Sequence, residues 1–142
     1  MSISGTVVQK TFKPAVTTIY AEGTVSGVNG NVTLLTSEGQ SIGVKEVEHG
    51  GVGDYTIYLT PGIPVSNFLG VIGIQHISGS QPGPQYNVLI NNIGTGSDPF
   101  IDLRVYQTST SAGVPVNPAS VLTDFGAGRL RITMAVSTNK VL

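Results

Sequence analysis

No window of eleven or more residues in this chain keeps apolar residues at helical spacing, because Gly, Pro, Thr or Asn interrupts every one. What survives is alternation with period two, the signature of strands with one buried face. Strands are expected near residues 15–20, 23–28, 31–37, 40–47, 54–60, 69–77, 86–91, 100–108 and 129–137. Strands this short and closely spaced, with no helix between them, predict an all-β fold, an antiparallel β-sandwich of about 8–9 strands. At 142 residues the chain suits one domain, able to bury roughly 68–70% of the surface that its unfolded form exposes.

Three strands can be assigned their faces. Tyr55, Ile57 and Leu59 point one way and Thr56, Tyr58 and Thr60 the other, before Pro61-Gly62 ends the run. Ile101, Leu103, Val105 and Gln107 form the better core face of residues 100–107, opposite Phe100, Asp102, Arg104 and Tyr106. Leu130, Ile132, Met134 and Val136 oppose Arg129, Arg131, Thr133 and Ala135 in the last strand. Asn29-Gly30, between Val-containing runs, predicts a two-residue type I′ hairpin. Residues 68–77 are apolar on both faces and carry Gly70 and Gly73, so a backbone or a bulky ring is expected to approach them closely, with the aromatics at 55, 58 or 68 as candidates. Residues 78–85 read as a surface connection and 108–128 as a long loop that serves a function or a partner. Residues 1–22 alternate weakly and read as a short N-terminal arm or edge strand that docks on a neighbour, set apart from a single sandwich domain over 23–142; the alternative, which general experience favours, is an ordinary first strand with a frayed end.

Charged residues are 11% of the chain, against ~25% in ordinary soluble domains, so Thr, Ser, Asn, Gln and Gly must supply the surface. The net charge is −1 and only Arg129 and Arg131 lie close together, which disfavours nucleic acid and anionic membranes as partners. No apolar run approaches the ~18 residues of a membrane span, so membrane insertion is not expected. The first ten residues lack a secretory pattern, which points to synthesis in a cytosol. With no cysteine, a disulfide framework, a cysteine zinc site and a thiol nucleophile are excluded.

The groups that could carry chemistry are few. In KEVEHGG, regular alternation puts Glu46 and Glu48 on one face and His49 on the other, so a solvated turn is expected rather than a metal site. His76 reads as a strand-end residue near the surface. No Ser stands in a Gly-x-Ser-x-Gly elbow, and Asp124-Phe125-Gly126 matches the kinase metal-binding tripeptide without the rest of the kinase signature. Asp98, Asp102 and Asp124 could meet as an oxygen-ligand calcium site. GGVGD lacks the spacing and the helix of a phosphate cradle, and Asn31-Val32-Thr33 is a bare glycosylation tripeptide. No catalytic, metal-binding or cofactor-binding residue is therefore assigned. Tyr58, Tyr86 and Tyr106 remain as flat rings amid hydroxyls and amides, suited to a glycan or a protein partner.

The order of segments has a parallel. Val47 to Gly51, Gly53, Tyr55, Thr56 and Leu59, followed by Val105-Tyr106, a proline-containing stretch, Asp124-Phe125 and a closing strand, resembles bacteriophage virion-surface β-sandwich proteins of fibre-knob or capsid-decoration type. The likeness spans about residues 44–137. It implies a non-enzymatic homotrimer on the particle, in contact with other virion proteins such as the major capsid or tail protein, made in the host cytoplasm and residing in the virion. Only some forty residues precede the resemblance, too few for a fibre shaft, so a small capsid decoration or head-fibre knob is the expected form. The alternative is a carbohydrate-binding module for a host surface glycan, in which Tyr58, Tyr86 and Tyr106 line one face.

Overall fold

The computed structural model describes residues 12–13, 16–35, 37, 40–63, 65, 68–82, 85–111, 114–137 and 140–141, without the side chains of 12–13, 82, 108–111, 114–121 and 140–141. The strands are β1 (Phe12–Lys13), β2 (Val16–Val25), β3 (Val32–Leu34), β4 (Val44–His49), β5 (Asp54–Leu59), β6 (Phe68–Ser78), β7 (Gln81–Pro82), β8 (Tyr86–Gly94), β9 (Phe100–Ser111), β10 (Val114–Leu122), β11 (Gly128–Ser137) and β12 (Lys140–Val141). All pairings are antiparallel. Sheet I has the order β3-β2-β11-β6-β7. Sheet II runs β4-β5-β9, with β8 on the far side of β9 and β10 continuing along the β5 side. The protein is all-β, two five-stranded antiparallel sheets packed as a sandwich, with β1 and β12 forming a small pair of their own.

The core lies where the alternating residues of both sheets meet. Tyr55, Ile57, Leu59, Ile101, Leu103 and Val105 from sheet II have no solvent exposure, and Leu130, Ile132, Met134 and Val136 of β11 face them from sheet I. Each such aliphatic side chain contributes about 1.5–3 kcal/mol by leaving water. Truncation of Ile101 or Ile132 to Ala removes that and leaves a cavity, a loss of about 2–5 kcal/mol.

Five features differ from the sequence expectations. β2 is one strand from Val16 to Val25, hydrogen-bonded to β11 along its whole length, and Ile19, Ala21 and Val25 are buried in the chain's own core. No division at residue 22 is visible, while residues 1–11 and 14–15 of the expected arm lie outside the described residues.

The hairpin after β2 closes on four residues. Ser26 N donates to Asn31 O (2.9 Å) and Gly30 N to Ser26 O (3.0 Å), leaving Val28 at an exposed tip. Asn29 Oδ1 accepts from Asn31 N (3.2 Å) and Ser26 Oγ from Val28 N (3.3 Å), so local side-chain acceptors favour this wider loop over the type I′ turn.

The stretch from 108 to 128 is mostly strand. β9 extends to Ser111, and β10 pairs back on it at Val114–Pro115 and again at Ser120–Leu122, with a register shift between. Pro115 and Pro118 fit because, among the described residues, β10 has a strand on one side only, where a missing donor is tolerated. Within residues 78–85, β7 folds onto Ile77–Ser78 through Gly79-Ser80. Finally, nothing lies within 4 Å of where a side chain on Gly70 or Gly73 would begin, so no ring or backbone of the described residues covers them. The glycine that a ring does cover is Gly94, under its cross-strand partner Phe100.

Candidate functional site

The titratable and aromatic groups that the sequence scatters over eighty residues converge at one end of the sandwich, around the crossover 123–127. There the chain leaves β10 in sheet II and enters β11 in sheet I. His49, the last residue of β4, faces inward like Val47, as the alternation requires. Its Nε2 donates to Asp124 Oδ1 at 2.7 Å, and its Nδ1 lies 3.2 Å from Asn31 Oδ1 in sheet I's hairpin. The same Asp124 oxygen accepts from Gly53 N at 2.7 Å. His49 is thus a partly buried link between elements, not the solvated turn residue expected from sequence.

Tyr55 is the hub. Its hydroxyl donates to Gly30 O (2.7 Å) and accepts from Phe125 N (3.1 Å), while its ring packs on Phe125 at 4.7 Å and on His49 at 4.8 Å. Burial pushes the phenol up to about 12, with the Phe125 N–H pulling the other way and the Asp124 charge adding to the rise. Gly30 must be glycine here. Its φ is +71° and a Cβ would press on Tyr55 and Asp124.

The chain of rings continues to sheet I. Phe125 meets Tyr86 edge-on at 5.0 Å, and Tyr86 meets His76 edge-on at 5.6 Å. Tyr86 Oη accepts from Gly126 N (2.8 Å), and His76 Nε2 donates to Gly126 O (2.8 Å). His76 is only 7% exposed, in contrast to the surface position expected for it. Asp124-Phe125-Gly126 is therefore an inter-sheet anchor. Side chains from β4, β5, β6 and β8 satisfy its carboxylate, two amides and one carbonyl, groups that burial would otherwise penalise by about 1–3 kcal/mol each. Chemically, the arrangement is suited to holding a crossover in place.

The other sequence candidates fall elsewhere. Asp98 pairs with Lys45 (2.9 Å), Asp102 accepts from Asn91 Nδ2 (3.0 Å) on the outer face of sheet II, and Asp124 sits in the anchor, so the three do not meet. Among the described residues, no group of three His, Asp or Glu could hold a metal ion. Tyr58 stands outward beside Phe100 at 6.0 Å. Tyr106 is on the same outer face but six residues along β9 from Phe100, about 20 Å away at ~3.4 Å per residue. Tyr86 points inward with its hydroxyl committed to Gly126. The three tyrosines do not share a face, which removes the three-ring glycan platform.

Two polar clusters decorate the outer faces. On sheet II, Asp54 lies 3.5 Å from Arg104 and beside Asp102. Burial first and Asp102 second push its carboxyl up, against the pull of Arg104 and His49. On sheet I, Glu22 pairs with Arg129 and Arg131, and the Arg131 guanidinium lies 4.1 Å over the Tyr20 ring. A shallow recess of about 120 Å³ lies beside Glu22, Gln75 and Arg129.

No family model matches this chain, and no curated protein or solved structure does either. Sequence reasoning had every member of the anchor in view but read each alone. The available signal was that Tyr55 must point inward yet needs hydroxyl partners, which a hairpin carbonyl and a crossover amide supply here.

Proposed function

We propose that the protein is a non-enzymatic structural protein of a phage particle, a small trimeric decoration or fibre-knob module on the particle surface. The observation that carries this reading is the meeting of the two pieces on which the resemblance rests. Tyr55 of the Gly-x-Tyr-Thr strand and Phe125 of the Asp-Phe step are in ring contact at 4.7 Å and share a hydrogen bond, so the two pieces belong to one built unit, which supports the reading. The low charge content fits a surface that must neither attract nucleic acid nor respond strongly to salt. Sheet edges left unpaired among the described residues fit a chain completed by its siblings.

Light scattering on the purified chain tests the reading. A mass three times 14.7 kDa at micromolar concentration is expected. A stable monomer there overturns it.

A further inference from the structure

We infer that the recess on the outer face of sheet I is a binding site for a small aliphatic carboxylate, held by Arg129 and Arg131. This goes beyond the structural reading above and does not depend on how many subunits assemble. Register builds the site. Glu22, Arg131 and Gln75 lie opposite one another across β2, β11 and β6, and in the neighbouring row Thr24, Arg129 and Ile77 do the same. The recess of about 120 Å³ lies along these two rows, lined by Glu22, Gln75, Ile77, Arg129, Leu130 and Arg131.

Charge selects the ligand. Glu22, with a side chain only 14% exposed, accepts from Arg129 Nη2 at 2.5 Å on Oε2. Arg131 Nε lies 3.1 Å from Oε1 but off the line of a hydrogen bond, so it is buried with no hydrogen-bond partner among the described residues. One carboxylate thus answers two guanidiniums, and a surplus of one positive charge remains. Elsewhere among the described residues the balance is reversed. Lys45 is matched by Asp98 and shares its strand with Glu46 and Glu48, while Arg104 pairs with Asp54, which lies beside Asp102. A small anion therefore meets net attraction at the recess and repulsion on the outer face of sheet II. A single carboxylate cancels the surplus. A phosphate, at about −1.5 to −2, would overshoot it beside Glu22.

The guanidiniums are held ready. Arg131 lies 4.1 Å over the Tyr20 ring, and Glu22 steadies Arg129 while taking one of its N–H groups. The Arg129 side chain is 54% exposed, so the rest of its planar fork is presented to an incoming carboxylate. Fixing donors in advance lowers the ordering cost of binding. Gln75 adds an amide beside them, and Ile77, 49% exposed, gives the recess an aliphatic wall that suits a hydrocarbon body next to the carboxylate. A cavity of about 150 Å³ admits benzene, so about 120 Å³ suits a carboxylate carrying a few carbons.

Nuclear magnetic resonance titration of the full chain with sodium butyrate tests this, with butyramide as the uncharged counterpart and inorganic phosphate and D-glucuronate as rival anions. Saturable shifts are expected at the side-chain N–H signals of Arg129, Arg131 and Gln75, with a Kd of about 1 mM. Arg129→Gln leaves Arg131 to neutralise Glu22, so the fold should be kept, as unshifted Phe125 and Gly126 amides would show. It is expected to weaken butyrate about tenfold. Arg129→Lys keeps the charge without the fork and should weaken it as well. Butyramide binding as well as butyrate, phosphate binding as tightly, full affinity in both variants, or no saturable shift each overturns the inference. Tighter binding of D-glucuronate than of butyrate overturns the aliphatic assignment and gives the site to a sugar acid.

Discussion

Tyr55 shows how one side chain joins elements that are distant in sequence. Its hydroxyl satisfies the carbonyl of a hairpin in one sheet and the amide of a crossover between sheets. Tyr55→Phe leaves both backbone groups buried and unpaired, and is expected to cost about 1–3 kcal/mol in urea unfolding. The same residue sets the alkaline limit. The unfolded chain releases this proton near pH 10.0 and the folded chain only near about 12, so its contribution is full below pH 10 and is lost as pH rises through 12. The loss is at most about 3 kcal/mol, and Tyr55→Phe should flatten that part of the stability–pH curve. Asp54 has the same sign at the acid end. Its carboxyl is raised above 3.8 by burial and by Asp102, so its contribution is full below pH 3.8 and disappears as pH rises through the folded value. Asp54→Asn should then be at least as stable as wild type at pH 7, with the difference closing toward pH 3.8. Urea midpoints at a series of pH values check it. A wild-type advantage at pH 7 would contradict the assignment.

At the scale of elements, the crossover 123–127 depends on acceptors and donors lent by both sheets. Asp124→Ala frees His49 and leaves Gly53 N unpaired, and is expected to lower stability by about 1–3 kcal/mol. Local opening should also quicken amide exchange at Phe125 and Gly126 more than at Ile132, whose hydrogen bonds lie inside sheet I. Uniform loss of protection across β11 would contradict the anchor. Elements differed in how legible they were. β5, β9 and β11 were readable because alternation between a wet and a dry face is a local property of each strand. β10 was hidden because its prolines break the pattern, and it persists only because β9 holds it at its two ends. The bulges of β6 were unreadable for a related reason: an extra residue is defined by the partner's register.

For the whole molecule, β11 is the element on which sheet I is assembled, since it pairs with β2 from the start of the chain and with β6 from the middle. A chain ending at residue 127 should therefore fail to fold, as judged by loss of near-ultraviolet circular dichroism and of a cooperative urea transition; a native-like spectrum would refute this. Pairing strands about a hundred residues apart also predicts folding in milliseconds to seconds, measurable by stopped flow. The sequence by itself determined the all-β class and the inward set from Tyr55 to Val136, because burial of alternate side chains depends on spacing along one strand. Tertiary structure alone decided that His49, Tyr55, Tyr86 and His76 close around Asp124-Phe125-Gly126, that the aspartates and tyrosines stay apart, and that none of the described residues covers Gly70 and Gly73. Each of those depends on which strand lies beside which, and that is settled by register and crossover across the whole chain, where no local pattern records it.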